Sequence, residues 1–200
     1  MRLVVACALT LSAVAASAAT ILVYGDSLSA GYGLPGDKSW VNLLVARLHD
    51  ERFDYKVANA SISGETTLGG RNRIEPALKA HQPDIVILAL GANDGLRGGS
   101  LDAMRANLEA IVDASRRSKA RVLVVGMRLP PNYGADYTEK FNRVFGEVAK
   151  SRKAPLVSFL LDGFAEKSSY FLADGVHPAA AAQPFILDTV WKELRPLLKK

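Results

Sequence analysis

Three residues at opposite ends of this sequence are of the right types for one chemistry. Ser27 stands in Gly25-Asp26-Ser27-Leu28, directly after a short apolar run, and Asp174-Gly175-Val176-His177-Pro178 comes close to the other end. A serine hydroxyl attacks a carbonyl only when a base takes its proton. An imidazole serves as that base when a carboxylate holds one ring nitrogen and leaves the other to accept. Asp174 lies three residues before His177, in a loop bounded by Gly175 and Pro178 that can fold the carboxylate back onto the ring. Such a pair weighs little alone. Beside an independent nucleophile it points to acyl transfer through a covalent acyl-enzyme.

That reaction builds up charge on an oxygen, which needs preorganised N–H donors. Two further polar turns offer them. Asn59-Ala60-Ser61-Ile62-Ser63-Gly64-Glu65-Thr66 presents the backbone N–H of Gly64, with no side chain to obstruct a substrate. Gly91-Ala92-Asn93-Asp94-Gly95 presents the side-chain amide of Asn93, and the backbone N–H of Ser27 is a third donor. Each feature also has a bland reading: a tight turn with an aspartate cap, a turn glycine, a helix cap. Taken singly the bland readings are as good. Taken together, at the ends of three strands and beside Asp174 and His177, they make catalysis the better account. Asp26 and Asp94 read as residues that hold their turns, and neither has a second ligand-type neighbour at metal spacing, so no metal is expected. His49 and His81, the other two of the three histidines, fall at helix ends and read as structural.

The elements that must carry these groups follow from periodicity. Stretches at 21–25, 54–58, 84–90, 121–127 and 155–159 read as strands, and 84–90 is apolar from Ile85 on, as in a strand buried on both faces. Helical spacing marks 39–50, 67–80, a helix capped by Ser100, one around Phe141 to Val148, and a last helix over 179–198 with Pro184 near its start. Pro76 falls inside the second of these. Alternating strands and helices imply a parallel sheet covered on both faces. The three polar turns then share the carboxyl edge, where such sheets bind ligands. The loop Arg128-Leu129-Pro130-Pro131-Asn132-Tyr133-Gly134 follows the fourth strand, and Leu129, Pro130 and Pro131 are candidates to line an acyl side.

The totals narrow the classes. At 200 residues, 49% of them hydrophobic, the chain can build one sizeable core, which argues against disorder. The net charge of +5 is spread among acidic residues, so it reads as solubility and not as nucleic-acid binding. Arg116, Arg117, Lys119 and Arg121 cluster where a helix should end, which complements its dipole without a partner. Arg2, an apolar run too short to span a bilayer, and small residues at 15–19 read as a signal peptide over 1–18, leaving 19–200 as a single domain. The one cysteine, Cys7, lies in the leader, so the mature chain has no thiol nucleophile and no disulfide.

The marker blocks of this sequence resemble those of the SGNH (GDSL) hydrolase superfamily. The longer stretches GDSLSAGYG, ANASISGETT, LGANDGLRGG, RLPPNYG and DGVHP are similar to its branch of bacterial periplasmic thioesterases, lysophospholipases and arylesterases. The resemblance implies a flavodoxin-like three-layer α/β/α sandwich on a five-stranded parallel sheet. It implies Ser27 as nucleophile, Asp174 and His177 as its partners, Gly64 and Asn93 as oxyanion donors, and no cofactor. The expected protein is an exported, periplasmic or secreted monomer that hydrolyses small or lipid acyl esters and thioesters, without stable membrane insertion. The Gly-x-Ser-x-Gly elbow of α/β-hydrolases is missing, and the acid sits beside the histidine. A carbohydrate deacetylase on the same scaffold, or a non-catalytic flavodoxin-like binding module, are the alternatives.

Overall fold

A computed structural model describes residues 18–200; most of the predicted leader, including Cys7, lies outside the described residues. Five strands form one sheet: β1 Ala19–Gly25, β2 Tyr55–Asn59, β3 Ile85–Ala89, β4 Arg121–Val125 and β5 Leu156–Val157. Their order is β2-β1-β3-β4-β5 and every pairing is parallel. Between them run α1 Ser27–Ala30, α2 Trp40–Asp50, α3 Thr67–His81, α4 Ala92–Leu96, α5 Leu101–Arg117, α6 Ala135–Ser151 and α7 Gln183–Leu194.

Alternation along each strand sorts the core into two layers. Ile21, Val23, Ile85 and Ile87 pack toward α2 and α7 with Trp40, Leu44, Ile186 and Val190. Leu22, Tyr24, Val86 and Leu88 pack toward α3, α5 and α6 with Ile74, Leu108, Ile111, Phe141 and Phe145. All five residues of β3 are buried, and each fully buried Leu or Ile is worth roughly 1.5–3 kcal/mol of transfer free energy. The sheet is therefore a rigid platform, and its carboxyl edge has little freedom to drift.

The expected parallel sheet and its two helical layers are present, with differences at the ends. Strand β5 has two residues where five were expected. It is an edge strand, and the chain leaves the ladder after Val157 to let Leu160 N–H donate to the Gly126 carbonyl at 2.9 Å. The last helix is shorter than its apolar pattern. A 3-10 turn at Ala180–Ala182 precedes α7, and another at Arg195–Leu197 ends it. Pro184 fits the first turn, whereas Pro196 lacks the N–H that would carry the helix further. Helix α3 does run through Pro76, which lies on its exposed side, where the freed carbonyl can turn to water. Two one-turn helices, α1 and α4, replace what reads in sequence as turns.

Candidate active site

Strand β1 stops because Gly25 closes it tightly. A Cβ there would lie 2.9 Å from Ser29 Oγ and 3.0 Å from the Ala89 carbonyl oxygen of the neighbouring strand. Asp26, almost fully buried, caps α1 and accepts the Leu28 N–H at 3.0 Å. Burial pushes its carboxyl up to about 7, against the pull of that hydrogen bond. Ser27 is thereby the first residue of α1, half-buried at the carboxyl edge of the sheet.

The histidine arrives on a loop that is folded back on itself. Phe171 and Pro178 form an antiparallel bridge, Leu172 N–H donates to the His177 carbonyl at 2.8 Å, and Ala179 N–H to the Tyr170 carbonyl at 2.7 Å. Within it Asp174 Oδ1 accepts the backbone N–H groups of Val176 at 2.9 Å and His177 at 3.0 Å. Its Oδ2 lies 2.8 Å from His177 Nδ1. The His177 N–H, then the Val176 N–H, then the ring hold the Asp174 carboxyl down to about 2. An ionised Asp174 can only accept, so Nδ1 carries a proton, and in the neutral ring Nε2 is left as the acceptor. Nε2 lies 2.9 Å from Ser27 Oγ. The three groups predicted from opposite ends of the chain thus form one continuous hydrogen-bonded line.

Gly64 and Asn93 come from the segments that follow β2 and β3. Gly64 has φ of +79°, so the loop needs glycine for its backbone; space is not the constraint, since a Cβ would meet nothing nearer than Arg97 Nη2 at 4.0 Å. Asn93 lies in α4, and its Nδ2 donates to the Glu65 carbonyl at 3.0 Å. The amide has a second hydrogen, so this bond orients the group without consuming it. Among the described residues, neither the Ser27 N–H nor the Gly64 N–H has a protein acceptor. Asp94 holds the same junction: its carboxylate accepts Thr67 N–H at 2.9 Å and Thr67 Oγ–H at 2.6 Å. Asp26 therefore holds its own turn, whereas Asp94 ties α4 to the start of α3, and His49 and His81 lie in the last turns of α2 and α3.

Several neighbours escaped the sequence reading. The Tyr32 ring lies 4.3 Å from the His177 ring, tilted by 38°. Trp40 Nε1 donates to the Leu28 carbonyl at 3.1 Å, Trp40 N–H to Gln183 Oε1 at 2.9 Å, and Gln183 Nε2 to the Pro178 carbonyl at 3.1 Å. That chain joins the residue after Ser27 to the residue after His177. Only a buried-polar pattern at positions 40 and 183 could have hinted at it, and such patterns have no local spacing. Leu129 packs into the α3, α5 and α6 layer, while Pro130 and Pro131 are exposed. Among the described residues no helix is long and apolar enough to cross a membrane.

The chain is 48% identical to esterase TesA of Pseudomonas aeruginosa over 96% of its own length and 95% of that protein. It is 40% identical to the arylesterase of Vibrio mimicus, covering 92% of each chain. It is also 40% identical to thioesterase 1/protease 1/lysophospholipase L1 of Escherichia coli, over 92% of its own length and 87% of that protein. The crystal structure of TesA superposes with a TM-score of 0.88, over 90% of this chain and 99% of that one. Residues 23–183 match the model of one family, and the chain belongs to it: the GDSL-like Lipase/Acylhydrolase family.

Proposed function

We propose that this protein is a serine hydrolase of carboxylic esters and acyl thioesters, acting through Ser27, His177 and Asp174, with Gly64, Asn93 and the Ser27 N–H as oxyanion donors. The single observation that carries the reading is the line Asp174 Oδ2, His177 Nδ1, His177 Nε2, Ser27 Oγ, with contacts of 2.8 and 2.9 Å. As the Ser27 Oγ–carbon bond forms, its proton passes to His177 Nε2, and Asp174 stabilises the resulting imidazolium. Collapse of the tetrahedral intermediate breaks the bond to the alcohol or thiol, which takes the proton from Nε2. Water then enters by the same route in reverse, and the free acid leaves. No step calls for a cofactor.

Relatives named as an esterase, an arylesterase and a thioesterase/lysophospholipase support acyl esters, thioesters and lysophospholipids as the substrate class. A leader over 1–18, by its composition, supports export to the periplasm or beyond, and the chain is read as a monomer. The test is covalent. A fluorophosphonate should label the purified protein at Ser27, and Ser27→Ala should remove both labelling and nearly all p-nitrophenyl ester turnover while circular dichroism stays unchanged. A folded, active Ser27→Ala protein overturns the mechanism. A panel of acyl thioesters, lysophospholipids and acetylated sugars then separates this substrate class from carbohydrate deacetylation.

A further inference from the structure

The loop 60–65 carries the Gly64 N–H and the Glu65 carbonyl that orients Asn93, yet it lies outside every helix and strand. Something has to hold it. Arg73, two turns into α3, reaches both of its ends. Its Nη1 donates to the Ala60 carbonyl at 2.8 Å, and its Nε donates to Glu65 Oε2 at 2.6 Å. Glu65 Oε1 in turn accepts the Thr66 N–H at 3.1 Å. Behind these bonds the guanidinium lies over the ring of Tyr24, 4.2 Å from its centroid. Tyr24 is itself fully buried in the strand that leads to Ser27, and its hydroxyl donates to the Gly70 carbonyl at 2.7 Å. The side chains of Arg73 and Glu65 are mostly buried, at 24% and 13% exposure, so water competes little for this pair.

We infer that Arg73 is a positioning residue for the oxyanion hole: its guanidinium clamps the two ends of loop 60–65 and so aims the Gly64 N–H and, through the Glu65 carbonyl, the Asn93 amide. A planar fork with separate donors is what the site uses. A lysine ammonium is a single point and cannot serve a backbone carbonyl, a carboxylate and a ring face together. The inference rests on the hydrolase reading above, because the loop matters only if those donors meet a developing oxyanion.

Arg73→Lys keeps the charge and is the variant most compatible with folding; Arg73→Ala is its partner for chemical rescue. With p-nitrophenyl esters, Arg73→Lys should lower kcat by ~10–100-fold with KM little changed, a part of what losing one oxyanion donor does. Millimolar ethylguanidinium should recover part of kcat in Arg73→Ala, and ethylammonium should not. The double variant Arg73→Lys/Asn93→Ala should lose less than the product of the two single losses, because both act on one junction. Wild-type kcat in Arg73→Lys, or fully multiplicative losses, would overturn the clamp. The Gly64 amide resonance in two-dimensional NMR gives a readout independent of turnover. If it moves in Arg73→Lys while the wild-type protein neither labels nor turns over ester, the hydrolase reading fails and takes the oxyanion role of Arg73 with it, leaving only a hold on the loop. If the wild type is active and that resonance stays put, the clamp fails alone.

Discussion

Asp26 and Asp174 flank the same serine–histidine pair and are driven in opposite directions. Asp174 is exposed and bonded to three donors, so its carboxyl is held down to about 2. A depressed carboxyl contributes stability above its unfolded value, and that contribution fades as the pH falls from there toward 2. Asp26 has only nearby backbone N–H groups as donors and almost no solvent, and burial raises it to about 7. From about pH 4, the ordinary aspartate value, up to 7 the unfolded chain has shed this proton and the folded chain has kept it. Folded stability from this group is therefore lost as pH rises through that window. Asp26→Asn keeps an oxygen for the Leu28 N–H and removes the titration. Between pH 5 and 8 the variant should gain on the wild type by ~2–4 kcal/mol, since each pKa unit is worth about 1.4 kcal/mol. Urea unfolding at a series of pH values measures this, and parallel profiles for the two proteins would contradict it.

At the scale of elements, the glycine that ends β1 and the glycine in the loop after β2 do different jobs. Gly25 is a matter of space: its missing Cβ lets the strand end lie against the Ala89 carbonyl. Gly64 is a matter of backbone, with φ of +79° and open surroundings. Gly25→Ala should shift the end of β1, and with it Ser27, costing ~1–3 kcal/mol of stability together with a marked fall in kcat. Gly64→Ala should cost about 1–2 kcal/mol, the left-handed penalty, and act on kcat through the loop alone. Thermal unfolding paired with ester kinetics distinguishes the two. Equal stability losses with equal kcat losses would mean that one cause underlies both positions.

The whole molecule brings its two ends together through buried hydrogen bonds. Trp40 and Gln183 link the Ser27 turn to the His177 loop across the α2–α7 layer, and both residues are buried. Gln183→Leu would leave the Trp40 N–H and the Pro178 carbonyl without this partner. Orphaned buried groups cost about 1–3 kcal/mol each, so a loss of ~2–6 kcal/mol is expected in urea unfolding. A fall in kcat should accompany it at temperatures where the protein remains folded. A loss under about 1 kcal/mol would mean that water replaces both bonds at little cost.

The amino-acid sequence alone determined whatever depends on near neighbours. Residues 84–90 announce a buried strand, Ser100 caps its helix, and Asp174 and His177 sit three apart because one short loop must bring them together. The α/β architecture and the residue types at Ser27, Gly64, Asn93, Asp174 and His177 were legible for that reason. Tertiary structure decided the rest. It put Tyr32 beside His177, gave the Asn93 amide the Glu65 carbonyl, brought Gln183 to Trp40 and Arg73 to both ends of loop 60–65, and cut β5 to two residues at the sheet edge. Periodicity and turn chemistry report on a few consecutive residues. A hydrogen bond between distant segments exists only once packing has chosen which elements lie side by side.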